Sequence, residues 1–122
     1  MRALLALACL LALGAPAPAA AGDFKVVVHP DNPVGQLPAA QLSRLFLKRT
    51  LRWPEGRPVL PVEPASPRLR ERFSQAVHGK SLNALKSYWN QQIFSGRDVP
   101  PLEKPDDAAV LAFVRAEPGA IG

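Results

Sequence analysis

The chain has 122 residues, a formal net charge of +5, 48% hydrophobic residues, 14 prolines and a single cysteine. One small domain fits that length, and a multidomain enzyme does not. The even spread of Leu, Val and Phe excludes a disordered, collagen-like or repetitive chain, and one cysteine excludes a disulfide framework.

Residues 1–21 carry the pattern of a secretory signal peptide. Arg2 gives a positive start, Ala3 to Leu13 form an apolar run of 11 residues, and Gly14-Ala15-Pro16-Ala17-Pro18 breaks it before Ala19-Ala20-Ala21. The run is well short of the ~20 residues that span a bilayer, so a membrane anchor is the weaker reading. Cys9 lies inside it and is expected to leave with it. The expected product is a soluble domain outside the cytoplasm, residues 22–122, with 14 Lys and Arg against 10 Asp and Glu, a balance of +4. It has no thiol for a disulfide or a nucleophile. Such a domain buries somewhat over ~60% of its extended surface, enough for one modest core.

Phe24-Lys25-Val26-Val27-Val28 is a β-branched run that predicts a strand, and His29-Pro30-Asp31-Asn32-Pro33 predicts a loop after it. Leu37-Pro38 opens a helical pattern to about Leu47, with Leu42, Leu45 and Phe46 on one face and Pro38 where a missing N–H costs nothing. Residues 48–58 lack periodicity and end in a turn at Glu55-Gly56. Val59-Leu60-Pro61-Val62 predicts a short strand, which Pro61 pushes toward an edge or a sheet end because it lacks a ladder donor. Ser66-Pro67 forms an N-cap and a first-turn proline, followed by the stripe Leu69, Phe73, Ala76 and Val77 up to Gly79. Ser81 starts another helix, with Leu82, Leu85, Trp89 and Ile93 inward, Lys86 and Asn90 outward, and Ser95-Gly96 at its end. Beyond the stiff connector Pro100-Pro101, Asp106 or Asp107 caps a helix whose Ala109, Val110, Phe113 and Val114 face inward. Pro118-Gly119 ends it, and Ala120-Ile121-Gly122 begins a strand. The alternation gives a compact α/β domain with short strands and about four helices.

Chemistry-bearing residues are few. His29 and His78 are the only imidazoles, with no carboxylate at ligand spacing, and no metal site is expected. His78, at a helix end beside Gly79, reads as a surface residue. Ser43, Ser66, Ser74, Ser81, Ser87 and Ser95 read as caps or surface residues, none in a nucleophile elbow, and no catalytic role is expected. Neither nucleotide motif, G-x-x-x-x-G-K-S/T or G-x-G-x-x-G, occurs, and no cofactor is expected. Anion binding needs less, because a helix N-terminus already offers free N–H groups. Glu63 to Arg72 is the candidate segment, since a capped helix starts there with Arg68, Arg70 and Arg72 in its first turns. Cations at that end oppose the helix dipole unless an anion or a carboxylate compensates. The alternative is that Arg68 and Arg72 solvate an exposed face, paired with Glu71 or Glu63. Arg44, Lys48, Arg49, Arg52 and Arg57 crowd the first helix end, where Lys48 and Arg49 suit the dipole without any nucleic acid. Trp89 fits its stripe as core, and Trp53 beside Pro54 reads as packing rather than a ligand platform.

An ordered series of short words runs through the domain: Leu45-Phe46-Leu47-Lys48, Arg52-Trp53-Pro54-Glu55-Gly56, Val59-Leu60-Pro61-Val62, Arg70-Glu71-Arg72-Phe73, Tyr88-Trp89, Ile93-Phe94-Ser95-Gly96 and Pro118-Gly119-Ala120-Ile121-Gly122. From about Phe24 to Gly122 the chain resembles the small secreted proteins classed with phosphate ABC transporter substrate-binding proteins. The resemblance implies a periplasmic-binding-protein-like fold of the second type and noncatalytic binding of phosphate or a related oxyanion. ABC transporter membrane subunits, or another envelope protein, would be partners. The implied ligand residues are Ser66, Arg68 and Arg70 at the helix start, with His29, Asp31 and Asn32 in the first loop. The larger phosphate binders carry glycine and serine at both places. Here the first is His29-Pro30-Asp31-Asn32-Pro33, and the second, Ala65-Ser66-Pro67-Arg68, keeps a serine and an arginine without glycines. Asp31 can accept from a protonated oxyanion or repel a doubly charged one. The resemblance also leads to an expected Tyr-Val continuation past Gly122, so that this chain carries the final strand only in part. The competing reading is a secreted envelope accessory or protein-interaction module that keeps the fold without an anion pocket. A hydrolase would need a serine or carboxylate beside a histidine in a cleft.

Overall fold

A computed structural model describes residues 24–122, and the expected leader lies outside them. Its sheet is three-stranded and parallel, with β1 (Leu60–Pro64) between β2 (Leu102–Lys104) and β3 (Ala120–Ile121). Val62 stands opposite Leu102 on one side of β1, and Pro61 opposite Ile121 on the other. β1 is thus the central strand and not an edge, one of the two places, edge or sheet end, toward which Pro61 pushes it. The reason lies in the alternation of N–H directions along a strand. Leu60 N–H donates toward β3, to the Gly119 carbonyl, and Ala65 N–H toward β2, to the Lys104 carbonyl. Pro61 therefore faces β2 before that pairing begins at Val62, and Pro64 faces β3 after it has ended. Both missing donors fall where no partner strand runs. The sheet-end half of the expectation holds; the edge half does not.

The run Phe24 to Val28 forms less than the predicted strand. It lies antiparallel to β3 through a bridge between Val28 and Ile121 and a pair of Val27–Gly122 backbone hydrogen bonds of 2.8 and 2.9 Å. A two-residue β3 offers it little more to pair with. β2 was not visible as a strand in the sequence, where three residues between prolines read as connector.

The described residues form four α-helices: α1 (Ala39–Phe46), α2 (Pro67–Phe73) running on as a π-helical turn (Ser74–His78), α3 (Leu82–Phe94) and α4 (Asp107–Ala116). Side-chain oxygens of Ser66, Ser81 and Asp106 cap α2, α3 and α4, accepting from the N–H groups of Leu69, Ala84 and Ala109 at 3.3, 3.1 and 2.9 Å. Gly79 ends the π turn in the left-handed conformation, φ 66°.

The two faces of the sheet bury different clusters. Ile121 meets Leu42, Leu45, Phe46 and Trp53 on one face, with Phe73 and Val77 against them. Val62 and Ala120 meet Val110 and Val114 of α4 on the other. Trp53 is core, and its indole N–H donates to the Gly119 carbonyl at 2.9 Å. α3 lies outside this sandwich, packing Leu85 and Trp89 on Leu47, with the Tyr88 hydroxyl donating to the Leu47 carbonyl at 2.9 Å. Two residues predicted inward are exposed. Ile93 projects because the short end of α1 covers α3 only as far as Trp89, and Ala76 does so because the wider π turn rotates the stripe between Phe73 and Val77.

Candidate functional site

The residues implied as anion ligands stand in two places. Ser66, Arg68 and Arg70 follow the carboxyl end of β1. His29, Asp31 and Asn32 follow Val28, which runs antiparallel to β3 and leaves the sheet at its opposite, amino end. At ~3.3 Å per strand residue, the length of β1 puts roughly 15–20 Å between them. The structure does not bring the two groups together.

Each group also uses its polar atoms locally. Ser66 Oγ is engaged as the α2 cap. In the loop, the Asp31 N–H donates to His29 Nδ1 at 3.0 Å, and the Val34 N–H donates to Asn32 Oδ1 at 3.0 Å. Those are turn-forming bonds of a kind Asn and its neighbours supply routinely. Arg70 turns back over the sheet. Its Nη1 donates to Glu103 Oε2 at 2.9 Å and its Nε lies 3.2 Å from Glu63 Oε1, with the N–H not aligned on that oxygen. Glu63, expected to pair with Arg68 or Arg72, lies against Arg70. Arg68 is exposed and has no hydrogen bond or ion pair among the described residues.

Arg70 and Glu63 stand at a cavity of about 440 Å³ where β1 and β3 end. That is where open α/β sheets bind ligands, outside the carboxyl ends of their strands. Its walls are mostly apolar: Phe24, Val27, Val62, Leu69, Phe73 and Val110. Burial raises the Glu63 carboxyl above its ordinary range, with Arg70 opposing the shift and Glu103 adding to it. The Arg70 guanidinium is taken up by two carboxylates, and one further cation, Lys25, and one further carboxylate, Asp107, line the cavity. An oxyanion that used Arg70 would have to displace Glu63 or Glu103 from it.

A second pairing went unseen in the sequence. Ser43 of α1 and His78 of the π turn share a hydrogen bond at 2.7 Å between Oγ and Nδ1. His78 is not the surface residue expected, because the π turn carries it against α1, edge-on to the Phe73 ring. Burial, and secondly Lys80, lower its pKa to about 4. A ring that neutral is a poor proton acceptor at neutral pH, and among the described residues no carboxylate orients it. The pair ties two helices together. Neither contact has a spacing signal, since their partners are 35 and 33 residues apart.

Among the described residues no group of three or more His, Cys, Asp or Glu could hold a metal. Comparison with protein-family models, curated proteins and solved structures finds no match for this chain.

Proposed function

We propose that this chain is a noncatalytic extracytoplasmic accessory module, one that keeps a binding-protein-like α/β core without an assembled oxyanion pocket. The observation that supports it is the clamp on Arg70, whose charge is spent on Glu63 and Glu103. The separation of the His29 loop from the α2 start by the length of β1 points the same way. Phosphate capture is the second reading, favoured by exposed Arg68 beside the α2 start and by the resemblance of the sequence.

Isothermal titration of the chain, expressed in full and recovered after cellular processing, separates the two. Freed of phosphate and titrated with phosphate and then sulfate, the folded protein is expected to give no saturable heat. One-site binding that persists at physiological salt and disappears in Arg68→Ala would replace this reading with phosphate capture.

A further inference from the structure

Charge is segregated along this chain and, through its packing, in space. Residues 32–54 hold Arg44, Lys48, Arg49 and Arg52 with no Asp or Glu, and residues 72–97 hold Arg72, Lys80, Lys86 and Arg97 with none either. All ten carboxylates lie outside these two stretches. The stretches are α1 with its following loop, and the π turn with α3, which pack on each other. Tyr88 of α3 reaches Leu47, and Arg49 lies over the Tyr88 ring at 5.3 Å. Ser43 holds His78, and Lys48 pairs at 3.5 Å with Asp98, the first carboxylate after α3. The α1/α3 side of the molecule is therefore rich in cations, with Asp98 paired to Lys48 on it, while Glu55, Glu63 and Glu103 pair with Arg57 and Arg70 elsewhere.

That side also bears an apolar knuckle. Where α3 ends, Phe94 is 90% exposed, Ile93 50% and Val99 56%. Ile93, Phe94 and Arg97 are drawn together by the helix-ending turn, in which Gly96 N–H donates to the Ile93 carbonyl and Arg97 N–H to the Gln92 carbonyl. Lys86 precedes Ile93 by seven residues, two helical turns, on the exposed side of α3. The Lys48–Asp98 pair holds the end of α1 against the same turn. An aromatic and two β-branched side chains projecting where α3 ends and in the loop after it, with Arg97 between them and Lys86 two turns back, match a soft interface that closes around them. A protein partner would need a complementary groove, whereas lipid headgroups and acyl chains rearrange.

We propose that the α1/α3 face docks on an anionic membrane surface, with Ile93, Phe94 and Val99 entering the headgroup boundary and Arg44, Arg49, Lys86 and Arg97 contacting lipid phosphates. The proposal deepens the accessory-module reading and rests on it, by naming the partner as lipid. No helix among the described residues is long and apolar enough to cross a membrane, and the contact proposed here is interfacial.

Co-sedimentation with vesicles tests it, using the full chain as the cell processes it and a melting curve to confirm that each variant is folded. Binding is expected to phosphatidylglycerol–phosphatidylethanolamine vesicles and not to phosphatidylcholine vesicles, and to weaken with added salt. Phe94→Ser should lower partitioning about tenfold, and Lys86→Glu with Arg97→Glu should lower it at least about fivefold for each cation. Any leader left on the protein is common to all variants, so the differences report the face. Absence of binding by the folded chain overturns the proposal, as does binding that Phe94→Ser leaves intact. A parallel arm with polyglutamate keeps the two levels apart. Polyglutamate binding without vesicle binding rejects lipid while leaving an acidic-protein partner for the module, and binding to neither rejects this face as a docking surface while the phosphate titration still decides the module reading.

Discussion

His78 makes the fold sensitive to acid. Its pKa falls from 6.5 to about 4 on folding because burial, and then Lys80, disfavour the charged ring. The unfolded chain therefore takes up a proton between those values that the folded chain refuses. Stability from this group is fully present above pH 6.5 and is lost as the pH drops toward about 4. Discounted for partial exposure, the loss is on the order of 2 kcal/mol. Glu63 acts in the opposite sense. Its raised pKa gives stability that is present below 4.5 and lost as the pH rises through the folded value, so it offsets part of the slope at the acid end. Replacing His78 by Asn keeps a polar atom near Ser43 and removes the titration. Urea unfolding between pH 6.5 and 4.5 should show a clearly shallower loss of stability in His78→Asn; equal slopes in the two proteins would remove His78 as the cause.

Helix ends were the most legible elements, because a cap is written within four residues. Ser66, Ser81 and Asp106 are caps both by sequence pattern and by hydrogen bond. Strands were harder to read. β2 is three residues long, and β1 is central only because its two prolines meet the places where its neighbours stop. The candidate site was the least legible. Arg70 belongs to it, but its partners Glu63 and Glu103 lie on two different strands, and nothing along the chain shows that they converge. Ser66 illustrates the ambiguity of one residue type that both caps helices and binds anions. If its oxygen serves α2, Ser66→Ala should cost about 1 kcal/mol in chemical denaturation, and Ser66→Asp should largely restore it, since a carboxylate also caps and suits the helix dipole. A cost in Ser66→Asp equal to that in Ser66→Ala would show that capping is not its main role.

At the scale of the whole molecule, β3 joins everything. Ala120 and Ile121 are fully buried in separate clusters on the two faces of the sheet, and Gly119 before them holds two donors on one carbonyl, Leu60 N–H and the Trp53 indole, each at 2.9 Å. Trp53 thereby links the irregular loop after α1 to the last strand. Such a junction demands close backbone approach, and a Cβ at position 119 would collide with the Pro58 carbonyl oxygen. That oxygen belongs to main chain held in a bridge with Arg52, so it cannot yield as a side chain would. Gly119→Ala should thus cost about 3 kcal/mol, through the clash and through the loosening of both hydrogen bonds. Gly35→Ala is the control, because its Cβ would meet open space, and it should leave stability near that of the native chain. Trp53 emission, read in a Trp89→Phe background, adds a second readout: in Gly119→Ala it should shift to longer wavelength at temperatures where the helices persist by circular dichroism. Native-like stability and emission in that variant would mean that β3 can move away from Pro58 without cost, and that the junction does not depend on this contact.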